Sequence, residues 1–176
     1  MMNRNKNRFT YRLYSWIFGY NEVKYWRRRQ VVVDSDNKTM SILKMWYLIY
    51  CKRAEAKNAS SMGTALNAGA KFAGIPHLPH GITGIFISHS ARIGTDCTIL
   101  QNVTIGSSKK KAPVIGDHCV IGAGAVIVGG VKIGNHCHIG ANCTVFKDVP
   151  DYTTVVCTPP RYIERNPEEF VTEFEF

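Results

Sequence analysis

The stretch Ile115-Gly-Asp-His-Cys-Val-Ile121-Gly-Ala-Gly-Ala-Val-Ile127-Val-Gly-Gly-Val-Lys-Ile133-Gly-Asn-His-Cys-His-Ile139-Gly-Ala-Asn-Cys-Thr-Val145 places an aliphatic residue at every sixth position. The same step runs upstream through Ile87, Ile93, Ile99 and Ile105, and only four extra residues, within 107–113, separate the two series. Glycine follows the aliphatic residue at Gly94, Gly106, Gly116, Gly122, Gly134 and Gly140. Two positions before each aliphatic residue stands a small one: Ala91, Cys97, Val103, Cys119, Ala125, Val131, Cys137 and Cys143. Six is neither the helical period nor the plain strand period. A unit that buries its first and fifth side chains reads as a short strand plus a turn, coiled so that equivalent residues stack. Branched side chains suit such a column, each burial being worth about 1.5–3 kcal/mol. The expected fold is a mainly β solenoid.

Leu66, Phe72 and Leu78 also step by six, with Ala70, Pro76 and Ile82 in the small or apolar inward position, so the solenoid is expected to begin near residue 64. Three extra residues around 84–86 shift the register. Met40 to Arg53 reads as a helix with basic residues in its last turn, placed to cap the open end of the coil. After Val149-Pro150 the repeat is expected to stop, leaving an acidic, aromatic tail from Tyr152 that closes the other end or crosses to a neighbouring subunit. The chain thus divides into a basic, aromatic, partly helical segment (1–60), a solenoid (61–160) and a C-terminal tail (161–176).

A chain of 176 residues, 45% hydrophobic and 20% charged, suits one compact domain. The longest apolar helical run, Met45 to Cys51, is far shorter than a membrane span needs. The N-terminus lacks a secretory signal's apolar core, which makes the cytoplasm the expected compartment. The net charge of +9 is unevenly placed. Residues 1–30 carry eight basic side chains against Glu22 alone, whereas from Ser61 onward acidic and basic groups balance. The basicity therefore belongs to an arm, and no nucleic-acid partner is expected. Interleaved with aromatics such as Trp16, Tyr25 and Trp26, the arm could lie on an anionic membrane surface or touch a polyanion, but the favoured reading is the solvated face of helices whose aromatics pack on the protein.

Cys97, Cys119, Cys137 and Cys143 fall in the inward small-residue column and read as small hydrophobes; Cys51 and Cys157 have no assignment. Without a Cys-x-x-Cys pair no metal is expected. His118 and His136, eighteen residues apart, should stack at one corner of the coil. A zinc-dependent solenoid hydratase would need a third convergent histidine, for which only His138 offers itself. His80, in Leu78-Pro-His-Gly-Ile-Thr-Gly84, sits just before the register break, and irregularity in a regular scaffold is where function tends to lie.

With Leu78-Pro-His-Gly-Ile-Thr-Gly-Ile-Phe-Ile-Ser88, Ile99-Leu-Gln-Asn-Val-Thr-Ile-Gly106, Ile115-Gly-Asp-His-Cys-Val-Ile-Gly-Ala-Gly-Ala125 and Ile139-Gly-Ala-Asn-Cys-Thr-Val-Phe-Lys-Asp-Val-Pro150, residues 62–163 resemble the hexapeptide-repeat acyltransferases. Within them the resemblance is to the serine O-acetyltransferase-like branch, which includes many capsule and exopolysaccharide acetyltransferases. The resemblance implies a left-handed parallel β-helix, a homotrimer with active sites between adjacent subunits, and acetyl-CoA as donor. It implies His80 as the general base that takes the proton of an acceptor hydroxyl, a role suited to an imidazole, which changes protonation near neutral pH. It further implies that Gly106, Ser107, Ala123 and Ala141 line the pantetheine groove and that Lys147 and Arg161 meet CoA phosphates. The insertion Ser107–Pro113 is expected to project as a loop bringing Lys109, Lys110 and Lys111 to the acceptor or to CoA, or to be merely solvated.

Three departures bear on the acceptor. Serine acetyltransferases carry an aspartate before the catalytic histidine, where this chain has Pro79, and an Arg-His-Pro triplet after the loop, where it has Lys111-Ala112-Pro113. The aspartate that pairs with their histidine aligns near Ala65. A site that has lost paired polar groups loses discrimination for the substrate they held. The resemblance so amended points to a sugar hydroxyl of a surface polysaccharide or its precursor. Genuine serine O-acetylation, a zinc hydratase and a non-catalytic trimeric scaffold remain the alternatives.

Overall fold

The computed structural model describes residues 16, 17 and 19–158. Twelve strands of two or three residues, from Lys71–Phe72 to Thr154–Val155, pair in parallel along three faces. Face one stacks Phe86–Ile87, Thr104–Gly106, Val126–Val128 and Thr144–Val145. Face two stacks Lys71–Phe72, Arg92–Ile93, Val114–Ile115 and Lys132–Ile133. Face three stacks Thr98–Ile99, Val120–Ile121, His138–Ile139 and Thr154–Val155. The chain visits them in that order, so each coil rests in register on the one before.

The second residue of every strand points inward, and the aliphatic column is the core. Its coils read Ile87-Ile93-Ile99, Ile105-Ile115-Ile121 and Ile127-Ile133-Ile139, with pairings such as Ile105↔Ile127 and Ile121↔Ile139. The small-residue column is buried as well, from Ala91 to Cys143. There the thiols donate to carbonyls of the next coil: Cys97 to Gly116 O (3.2 Å), Cys119 to Gly134 O (3.1 Å) and Cys137 to Pro150 O (3.0 Å). Burial pushes the Cys137 thiol up from its ordinary pKa, as it does Cys51, which reaches about 12. Cys143 and the exposed Cys157 place their sulfurs 2.8 Å apart.

Both ends of the coil differ from the sequence expectation. Leu66 is not in the column. It lies in the turn of an antiparallel hairpin, β1 (Thr64–Ala65) and β2 (Ala68–Gly69), which carries the chain across the top. Ser61 bridges Phe86 instead, and Met62, fully buried, takes the inward place above Ile87. At the other end the repeat does not stop at Pro150. Val149 is bridged to Ile133 and Val155 pairs with Ile139, completing a fifth coil that is shortened between Val145 and Val149.

Two helices close the top: α1 (Glu22–Val33) and α2 (Ser41–Lys57). Asn21 caps α1, its side chain accepting from Lys24 N–H at 3.0 Å. The first coil presents carbonyls with no strand above them, and a buried cation answers them. Arg29 donates to Met62 O (2.9 Å), Ala70 O (2.8 Å) and Thr64 Oγ1 (3.2 Å), and its guanidinium lies over the Phe72 ring. Glu55 of α2 accepts from Tyr25 OH (2.8 Å), Thr64 Oγ1 (2.6 Å) and Lys52 Nζ (2.9 Å). Burial lowers the Arg29 pKa, which the nearby Tyr25 and Glu55 oppose. Trp26 completes the seal edge-on to Phe72 at 5.0 Å.

Each corner carries its own ladder. Between faces two and three, Asp117 Oδ1 accepts from Thr95 N–H (2.6 Å), Asn135 Oδ1 from Asp117 N–H (2.9 Å) and Asp151 Oδ1 from Asn135 N–H (2.7 Å). The Thr95 amide and hydroxyl hold the Asp117 carboxyl below the usual carboxylate range. The next residue in each coil, Asp96, His118, His136 or Tyr152, is left-handed, and the last three rings stack at 4.7 and 4.8 Å.

Candidate active site

His80 stands on the corner between faces three and one, in the irregular segment that joins the first coil to the second. Ile82 and Ile85, both fully buried, pin that segment to the core, while His80 is exposed. Gly81 turns left-handed (φ +65°) with its amide bonded to Leu78 O, and the Thr83 hydroxyl donates to His80 O at 3.1 Å. Gly84 N–H reaches Asn58 O and Asn102 N–H reaches Thr83 O, tying the segment to the cap above and the coil below. The backbone of His80 is thereby fixed and its ring turned outward. Among the described residues the ring has no side-chain partner, in keeping with Pro79 and Ala65 at the positions where carboxylates were missed.

Two coils below His80 and onward, the same corner is built from small residues. Asn102, Gly124 and Asn142 occupy successive left-handed positions, and Ala123 and Ala141 precede the last two. With coils about 4.8 Å apart, Ala123 lies roughly 10 Å and Ala141 roughly 14 Å down the stack from the His80 segment. Gln101 precedes Asn102 in the coil directly below His80, so the lane free of long side chains begins at Ala123 and runs over Ala141.

Gly106, Ser107, Lys109, Lys110, Lys111 and Lys147 belong to the next corner, between faces one and two, so the expected site residues occupy two edges. The floor between them is the outer surface of face one: Phe86, Thr104, Val126 and Thr144. Lys147 is exposed, its Nζ 6.0 Å from the Phe146 ring centroid. Arg161 lies outside the described residues.

The insertion does not project freely. Ser108 and Lys111 exchange backbone hydrogen bonds of 2.9 Å in both directions, closing a two-residue turn on Lys109 (φ +47°) and Lys110 (φ +63°). That turn type calls for glycine or asparagine, and a lysine in the left-handed region costs about 1–2 kcal/mol. The base of the turn lies on the next coil, where Lys111 Cβ packs against Gly130 and Ser108 Cβ approaches Gly129. Two strained, exposed lysines are thus held in a defined position. Sequence reasoning missed the turn because neither lysine signals it; the Gly129-Gly130 pair one coil on was the available clue.

A concavity of about 450 Å³ lies on face two around Val114, Lys132 and Asp148, away from His80. His80 itself occupies a convex edge, where one chain alone does not exclude water. Among the described residues no three His, Cys, Asp or Glu side chains are grouped to hold a metal ion. His118 and His136 direct their ring faces at each other.

Residues 112–147 match the family model described as bacterial transferase hexapeptide (six repeats). A serine acetyltransferase of Staphylococcus aureus is 37% identical over 108 residues, covering 59% of this chain and 50% of that protein. The chain therefore spans about half the length of the curated relatives it matches. Among solved structures, Neisseria gonorrhoeae serine acetyltransferase in complex with serine aligns at 26% identity over 92% of this chain and 63% of that one, with a TM-score of 0.61. A serine acetyltransferase in complex with CoA aligns at 27% identity over 83% and 57%, also with a TM-score of 0.61.

Proposed function

We propose that this serine acetyltransferase-like hexapeptide-repeat protein is an acetyl-CoA-dependent O-acetyltransferase with His80 as its general base. The observation that carries the reading is the fixed, outward presentation of His80 on the same corner as Ala123 and Ala141, in a coil whose relatives include a CoA-bound serine acetyltransferase. The imidazole takes the acceptor's hydroxyl proton as the oxygen attacks the thioester carbonyl. The tetrahedral intermediate then expels the CoA thiolate, which recovers the proton, leaving an acetyl ester and CoA thiol. Ala123 and Ala141 let the pantetheine arm lie close to the coil, and Lys147 and Arg161 meet the phosphates. Gly106 and Ser107 line the opposite edge of the site, where Lys109, Lys110 and Lys111 supply positive charge.

A convex His80 edge is completed by a second prism, which supports a homotrimer with the site between subunits. On this reading the lysine turn of one subunit closes over the His80 edge of the next.

The acceptor is a sugar hydroxyl of a surface polysaccharide or its precursor, modified in the cytoplasm at the inner face of the membrane. Support comes from Pro79, Ala65 and Ala112, which supply none of the ionic groups that would hold an amino acid. L-serine is the second reading, favoured by the names of the relatives. Release of CoA thiol from acetyl-CoA is the test, with L-serine or a panel of sugars and nucleotide-sugars as acceptor. With the right acceptor, His80→Ala should lower kcat by about 10²–10⁴. Serine-dependent release abolished in the variant would overturn the sugar reading and keep the base. Release unchanged in the variant would overturn the base.

A further inference from the structure

Helix α2 is apolar on two sides. Its inner side, including Cys51 and Ala54, seals the coil. On the opposite side Ile42, Met45, Trp46 and Ile49 follow the i, i+3, i+4, i+7 spacing and are 66%, 45%, 65% and 42% exposed. Arg53 and Lys57 continue the line through the last turns, where with Trp46 and Ile49 they border a shallow groove against Gly19. No described helix is long and apolar enough to cross a membrane.

We propose that this outer stripe of α2 docks on an anionic lipid bilayer, lying in its surface plane. Charge decides among occupants. Residues 1–60 hold thirteen basic side chains against Glu22, Asp34, Asp36 and Glu55; Arg29, Lys44 and Glu55 are buried within the cap, which leaves a positive excess, whereas the remainder of the chain is balanced. A second copy seated on this face would bring the same positive excess against itself. An anionic surface complements it, accepting Ile, Met and Trp side chains among the acyl chains while Arg53 and Lys57 lay their stems along the boundary and set their charges among phosphates. A convex helical stripe also suits a deformable lipid surface, which has no fixed contour to match. The proposal is independent of the acceptor reading, since it concerns where the protein sits and not what it modifies.

Co-sedimentation of the full chain with phosphatidylcholine vesicles, with and without phosphatidylglycerol, tests it. Binding is expected only to the vesicles containing phosphatidylglycerol, and should weaken as salt is raised. Both Trp46→Ser/Ile49→Ser and Arg53→Glu/Lys57→Glu should reduce it at least about tenfold with helical circular dichroism unchanged. The charge-reversal pair alters only exposed side chains, so it remains informative if the apolar pair perturbs the helix. Failure to bind anionic vesicles, or undiminished binding by the charge-reversed protein, overturns the proposal. So does a finding by analytical ultracentrifugation that Trp46→Ser/Ile49→Ser dissociates the protein, which would make the stripe a contact between copies.

Discussion

Gly124 turns the chain with φ +67°, and a Cβ there would run into Asn142 Oδ1 of the next coil. Two coils up the same corner, Gly84 stands over Asn102 in the same way. Glycine and asparagine therefore alternate down this edge, each asparagine side chain occupying the space under the glycine before it. Gly124→Ala should cost about 1–3 kcal/mol from the left-handed backbone and the lost space, read as a lower urea midpoint with an unchanged slope. This alternation is invisible to a search for period six, because both residues tolerate the left-handed region and both look merely small or polar. The aliphatic column was legible for the opposite reason: stacking on identical neighbours imposes the same residue class in every coil. The His118–His136 stack followed from their spacing alone, whereas Tyr152, third in that stack, was hidden by the shortened fifth coil. His80 was legible as a residue that interrupts a pattern, and its lack of a carboxylate partner followed from Pro79 and Ala65.

Among the elements, α2 was legible from its apolar run and α1 was not. Three consecutive arginines followed by Val31-Val32-Val33 read as a charged arm with poor helix formers, and nothing local announces that Arg29 is buried while Arg27 faces solvent. Only the unpaired carbonyls of the first coil explain it, and these belong to residues more than thirty positions away. Because Arg29 and Glu55 meet at Thr64, removing one member strands the other's polar neighbours. Arg29→Met should destabilise the fold by about 3–5 kcal/mol, and adding Glu55→Gln should recover part of that, so the paired variants lose less than the sum of the singles. Chemical unfolding of the two single variants and the double checks this. The hairpin β1–β2 escaped the reading in a related way, since Leu66, Phe72 and Leu78 keep the step of six although Leu66 has left the stack.

Across the whole molecule, the polarity of the coil gives its two ends unequal fates. A prism of stacked coils is nearly one-dimensional, each coil owing its persistence to the one before and the one after. At the top, helices and a buried guanidinium stand in for the missing neighbour. Below Thr154–Val155 no strand among the described residues continues the stack, and the tail expected to close that end lies outside them, so the cap that is built from described residues is the upper one. Opening should therefore begin at that end and run upward like a zipper, so that amide deuteration tells off the coils in order. The amides of Thr144–Val145 and His138–Ile139 should exchange before those of Thr104–Gly106 and Phe86–Ile87, and mass spectrometry of peptic fragments would resolve the order. Uniform protection along the coil would mean instead that the lower end has a cover of its own. Under the expected gradient the His80 edge lies in the slowest-exchanging layers, so the chain keeps its candidate base on its most durable ground.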